Sequence, residues 1–203
     1  MTVSRAASRG SYHHGDAKNA LLAAARDLIE SVGAAGLSLR QVAERARLSR
    51  QAPYNHFADK EALLAELVRE GFCQLGTAVS LAGSSPTRDD LARVAEAYIG
   101  FAQTTPALFR LMFSRELIDL AKFPDASAAA AAAFGQMVAI VARYAAPDQV
   151  DELSLAAWSV VHGYSMLCIE TNLEAKERRT ERAQLFARII QREAEATRRC
   201  TEP

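Results

Sequence analysis

Apolar residues recur three and four positions apart along nearly the whole chain, and no run of alternating β-branched residues stands between turn signals. The first pattern lines one face of an α-helix, whereas a half-buried strand needs the second. An all-α fold is therefore expected. Composition agrees: 50% of residues are hydrophobic, alanine, leucine, glutamate and arginine abound, and glycine and proline number only 10 and 6. A chain of 203 residues can bury a substantial core in one large or two modest domains.

Caps and breakers divide this pattern. Residues 1–15 are rich in Ser, Arg and Gly and read as an arm, either a simple terminus or a strand of chain able to place Arg in a minor groove. Asp16 is the expected cap of a first helix running to about Val32, with Leu21, Leu22, Ala25, Leu28 and Ile29 inward. Ser38 and Gln41 form a capping-box pattern ahead of a short helix carrying Leu39, Val42, Ala43 and Ala46. Arg47-Leu48-Ser49 interrupts it, and Ser49 is the expected cap of a second short helix. Asp59 should cap a long helix to Ala82, with Gly71 and Gly76 weakening or bending it. Further helices are expected over 87–104, 106–113, 115–122, 125–145, 148–172 and 180–199.

Two short helices joined by a tight turn, the second with polar side chains outward, form the layout of a helix-turn-helix that reads duplex DNA. Arg50, Gln51 and Asn55 are the candidates for base edges, because Arg suits guanine and Gln or Asn suits adenine. Ala52 and Pro53 lie on the same segment, and Pro53 offers only methylenes to a thymine methyl or to exclude water. Ser38, Arg40, Tyr54, His56 and Lys60 are the phosphate candidates. Phe57 is assigned to the core, and Tyr54 is expected to bury its ring while turning its hydroxyl outward.

The run from Tyr54 to Leu63, YNHFADKEAL, resembles the Y-x-H-F-x-x-K-E-x-L signature of TetR-type transcriptional regulators. Leu21 to Glu30 with Gly33 and Gly36 is similar to that family's first helix and loop, so the resemblance spans about residues 17–68. Trp158-Ser159-Val160-Val161-His162-Gly163 is similar to the ligand-domain motif of the branch named for Trp, His and Gly. One position departs: the turn residue usually Gly is Arg47 here, costing roughly 1 kcal/mol if it must take positive φ. The resemblance implies phosphate contacts at Ser38, Tyr54, His56 and Lys60, and a dimer built as a four-helix bundle.

Net charge is zero, yet residues 1–60 hold nine Lys/Arg against five acids, +4, leaving −4 on residues 61–203. One basic end on an acidic body suits a protein that meets operator DNA with that end alone. Three cysteines, Cys73, Cys168 and Cys200, without C-x-x-C spacing fit a reducing, cytoplasmic setting. No stretch approaches ~18 unbroken apolar residues, so no membrane span is expected.

Residues 1–15 are thus read as an arm, 16–60 as the helix-turn-helix domain, and 61–203 as a helical effector-binding and dimerisation domain. Helices 148–172 and 180–199 carry the apolar surface for a homodimer: Leu155, Val160, Tyr164, Leu167, Leu185, Phe186, Ile189 and Ile190. Tyr98, Phe101, Phe109, Met112, Phe113, Phe134, Met137, Trp158 and His162 are the candidates for an apolar effector pocket; such residues also fill ordinary cores. His162 fits either a pocket wall or a hydrogen bond between helices, and Gly163 should admit a neighbouring helix closely. No cofactor, metal set or catalytic group is discerned. The expected function is a DNA-binding regulator, a repressor released by a small hydrophobic ligand; the alternative is a ligand-independent or architectural DNA-binding protein.

Overall fold

The computed structural model describes residues 10–84, 89–171, 173 and 178–201, and every regular element among them is helical. The order is α1 (Gly10–Gly36), α2 (Leu39–Arg45), α3 (Lys60–Ala82), α4 (Asp90–Thr104), α5 (Pro106–Met112), α6 (Pro124–Val141), α7 (Val150–Thr171) and α8 (Arg179–Thr201). Residues 1–9 of the expected arm, the Thr87 start and the Asn172 end lie outside the described residues.

Helix α1 begins at Gly10, ahead of the expected Asp16 cap, and its helical backbone breaks at Gly33, where φ is 71°. Leu21, Leu22, Ala25 and Ile29 are buried from that helix, as their spacing requires. Asp59 caps α3 as expected, its Oδ1 accepting the N–H of Ala62 at 2.8 Å. Two ion pairs at 2.8 Å, Lys18–Glu66 and Arg26–Glu70, join α1 to α3. One continuous core runs from Leu21 through α3 to Ala194.

Helix α3 runs unbroken through Gly71 and Gly76. Their purpose is space rather than bending. A Cβ on Gly71 would stand 2.7 Å from Met112 Sδ, and one on Gly76 would stand 3.5 Å from the Ala133 backbone. Gly163 shows no such contact, so the close approach expected there is not made within the chain. At the far end of α3, Arg93 Nε donates to the Ala82 carbonyl at 3.0 Å and Arg143 donates to the Gly83 carbonyl at 2.8 Å. Both guanidiniums also face the fully buried carboxylate of Asp90, Arg143 at 2.8 Å and Arg93 at 3.9 Å. The last carbonyls of α3 are thereby satisfied by cations, where the helix dipole favours them.

The helix expected over 115–122 is replaced by turns and a single 3-10 turn, Leu120–Lys122. Asp119 takes extended backbone and its carboxylate accepts the Ala121 N–H at 3.1 Å, a local alternative to helix. Pro124 then forces Phe123 out of the helical region, with φ −126° and ψ 81°. Helix α6 reaches a mean hydropathy of 1.2 over Pro124–Val141, long and apolar enough by composition to cross a membrane, although Asp125, Ser127 and Gln136 interrupt its apolar run. Its apolarity is mostly alanine, and Ala133, Met137 and Ile140 pack inward.

Candidate nucleic-acid interface and ligand cavity

Ser38 is the N-cap of α2: its Oγ accepts the Gln41 N–H at 3.3 Å and donates to Gln41 Oε1 at 2.7 Å. Leu39, Val42 and Ala43 are buried beneath it, which turns Arg40 outward into an ion pair with Glu44 at 2.9 Å. The hydrogen bond and charge of Arg40, with a smaller contribution from Arg50, hold the Glu44 carboxyl below its usual range.

The turn after α2 ends on Arg47 at φ 56°, and Leu48 N–H returns to the Ala43 carbonyl at 2.9 Å. This is a Schellman closure with arginine at the left-handed position that favours glycine. The segment beyond it is not the α-helix that a Ser49 cap would start. Ala52, Tyr54, Asn55 and His56 each donate three residues back, and regular structure survives only as a 3-10 turn, Pro53–Asn55. Pro53 supplies the reason. Without an N–H it cannot bond Ser49, whose carbonyl accepts Ala52 instead at 3.0 Å.

Arg50, Gln51 and Asn55 are exposed on this turn, and Ala52 and His56 are half-buried. Pro53 is buried and so is withdrawn from contact with a thymine methyl. Phe57 enters the core as expected. Tyr54 does not bury its ring: the residue is 56% exposed. Lys60 donates from Nζ to the Ala35 carbonyl at 2.7 Å, tying the start of α3 to the end of α1.

A cavity of about 660 Å³ lies behind this end of the molecule. Six of the nine expected residues line it: Tyr98, Met112, Phe113, Phe134, Met137 and Trp158. Phe101, Phe109 and His162 do not; they form the layer behind the wall. Phe109 is fully buried, its ring edge-on to Tyr98 at 5.7 Å and 5.1 Å from Phe113, and Phe101 packs edge-on to it. His162 lies 4.3 Å from the Phe113 ring, and its Nδ1 is 3.0 Å from the Tyr98 hydroxyl. Trp158 donates from Nε1 to the same hydroxyl at 3.2 Å. Burial pushes the His162 pKa below its ordinary 6.5, and burial also raises that of Tyr98, so both groups are neutral at pH 7.

Two parts of the wall escaped the sequence reading. Val68, Phe72, Leu75 and Val79 of α3 form one side. Arg115, Ile118, Asp119, Leu120 and Ala121 form another, on the segment expected to be helical, with Ser114 just ahead of it. Pro124 was the available signal for that segment, because the residue before proline resists the helical region. A second cleft of about 590 Å³ lies between the same segment and Asp59, Lys60, Glu61 and Leu64 of α3.

Residues 21–67 match the family described as bacterial regulatory proteins, tetR family, and residues 91–192 match the tetracyclin repressor-like C-terminal domain. A solved structure of a protein of unknown function from Rhodococcus sp. RHA1 is similar over 89% of this chain and 98% of its own, at 30% identity and a TM-score of 0.71. The TetR family transcriptional regulator PfmR from Thermus thermophilus is similar over 83% of this chain and 97% of its own, at 21% identity and a TM-score of 0.66. A bacterial regulatory protein in the tetR family from Rhodococcus RHA1 is similar over 86% and 96%, at 18% identity and a TM-score of 0.68. No curated protein matches the chain at a significant level.

Proposed function

The chain belongs to the tetR family of bacterial regulatory proteins and is a DNA-binding transcriptional regulator; from that premise we propose a cytoplasmic homodimeric repressor, released from its operator by a small, largely hydrophobic ligand. The observation that carries this reading is the shared wall. Helix α3 gives Val68, Phe72, Leu75 and Val79 to the cavity, and its first residues join the DNA-reading end through Lys60 and Ala35. A ligand that favours one placement of α3 over another lowers operator affinity by that difference and by no other route. A cavity of this size and lining supports the ligand-responsive reading over a ligand-independent one.

In this reading Arg50, Gln51 and Asn55 read base edges, while Ser38, Arg40, Tyr54, His56 and Lys60 hold the backbone, with Ala52 close to the groove. The exposed Tyr54 supports its hydroxyl as a phosphate contact. Replacing Arg50 or Gln51 by Ala should relax preference at one base position in each half-site by roughly 1–3 kcal/mol. Lys60→Ala should weaken all sequences alike. Footprinting that finds no protected palindrome on any genomic fragment would overturn the DNA reading. Trp158→Phe and Phe134→Ala, both on the wall, should keep operator affinity and lose response to ligand. Phe109→Ala is a poor test, because deleting a fully buried ring costs about 3–5 kcal/mol.

A further inference from the structure

We propose that the cavity selects neutral, oxygen-bearing hydrophobes, and that the Trp158–Tyr98–His162 hydrogen-bond relay reads the single oxygen. This rests on the cavity being the effector site. Tyr98 and Trp158 both line it, and their polar atoms meet at 3.2 Å; His162 Nδ1 lies 3.0 Å behind the same hydroxyl.

The donor count of the relay decides what it can recognise. An indole N–H only donates, a neutral imidazole has one donor and one acceptor nitrogen, and a phenol has one donor and two lone pairs. Trp158 therefore fills one lone pair of Tyr98. If His162 Nδ1 is unprotonated it takes the Tyr98 proton, and one lone pair stays open to a ligand hydroxyl. If the imidazole proton sits on Nδ1, Tyr98 accepts twice and its own O–H is released toward a ligand carbonyl. Either way the relay matches one neutral oxygen without gaining or losing charge.

An ionised carboxylate fits poorly. It would surrender hydration for a wall that offers at most one or two neutral donors, which is costly in an apolar enclosure. The charged groups of the lining, Arg115 and Asp119, are exposed and opposite in sign, so they supply no net positive field inside.

The test is calorimetric titration of the full-length protein with four compounds on one framework: biphenyl, 4-hydroxybiphenyl, 4-acetylbiphenyl and biphenyl-4-carboxylate. Trp158, the only tryptophan, gives an independent fluorescence signal from the wall. The relay is satisfied without ligand, so the expected gain is modest: the hydroxyl and acetyl compounds bind about three- to tenfold tighter than biphenyl, and the carboxylate binds weakest. In Tyr98→Phe/Trp158→Phe the hydroxyl and acetyl compounds should fall to within about twofold of biphenyl measured on the same variant, whatever the change in biphenyl's own affinity. Equal wild-type affinities for the neutral compounds, or tightest binding of the carboxylate, would overturn the selectivity and leave the cavity as a ligand site. Binding of none of the four would overturn the selectivity and the cavity reading together. The wild-type series decides the matter even if the double variant fails to fold.

Discussion

Glu61, in the first turn of α3, accepts the backbone N–H of Asp119 at 3.2 Å, joining the start of the long helix to the cavity wall. Lys122 reinforces the joint from 3.3 Å. Asp119 lines the cavity, and Glu61 neighbours Lys60, which holds the end of α1. A ligand that displaces residues 114–121 would act on α3 through this bond. Replacing Glu61 by Ala should therefore leave ligand affinity and operator affinity within about twofold while blunting ligand-induced release. Titrating operator DNA with and without ligand checks it; undiminished release in the variant would rule the joint out as the coupling path.

Arg47 holds φ 56° at the close of α2. Glycine would relieve roughly 1–2 kcal/mol of left-handed strain and return part of it through a freer unfolded chain. Arg47→Gly should come out about 0.5–1 kcal/mol more stable, a rise of about 1–3 °C in melting temperature. A drop in melting temperature would mean that the arginine side chain outweighs its backbone.

The all-α fold was legible because period and caps agree: Ser38, Asp59 and Pro106 each sit at or beside a helix start, as their chemistry requires. The failures cluster where one residue overrides a pattern. Pro53 converts the second motif helix into 3-10 turns, and Asp119 with Pro124 unwinds 115–122. Of the cavity residues, Tyr98 and Trp158 stand on the wall and Phe109 behind it, a distinction that depends on helix rotation and not on residue type. The tight Gly71–Met112 approach is likewise tertiary and leaves no mark on spacing.

Asp90 is fully buried between two guanidiniums that also cap the end of α3. Asp90→Ala removes the carboxylate and leaves Arg143, partly exposed, to be rescued by water. The loss should be about 2 kcal/mol, below the range for a fully enclosed pair. Asp90→Asn should lose less, since it keeps shape and one acceptor. Urea unfolding of both variants checks the order; equal stability of Asp90→Ala and wild type would show that the clamp contributes nothing.

Burial lowers the His162 pKa below 6.5, so the folded chain refuses a proton that the unfolded chain accepts between that lowered value and 6.5. Stability from this group is fully present above pH 6.5 and declines as pH falls through the window. His162→Gln keeps an acceptor for Tyr98 and does not titrate in this range. Its melting temperature should fall less than that of the wild type between about pH 7 and 5.5. Parallel curves would remove His162 as the source.

The residues assigned to the dimer on helices α7 and α8 fall into a buried set and an exposed set, with Val160 and Phe186 half-buried between them. Tyr164 and Ile190 are buried within one chain, with the Tyr164 and Phe186 rings 5.3 Å apart, whereas Leu155, Leu167, Leu185 and Ile189 are exposed. The outward set is the surface that a four-helix bundle with a second copy would cover. Substituting Ile190 by Asp would injure the core of a single chain and say little about assembly. Leu185→Asp/Ile189→Asp strikes only the outward set, so it should give a monomer by sedimentation with helical content retained. Operator affinity should fall at least about tenfold, because two half-sites would no longer be engaged by one particle. A dimer that survives this pair of charges would place the interface elsewhere.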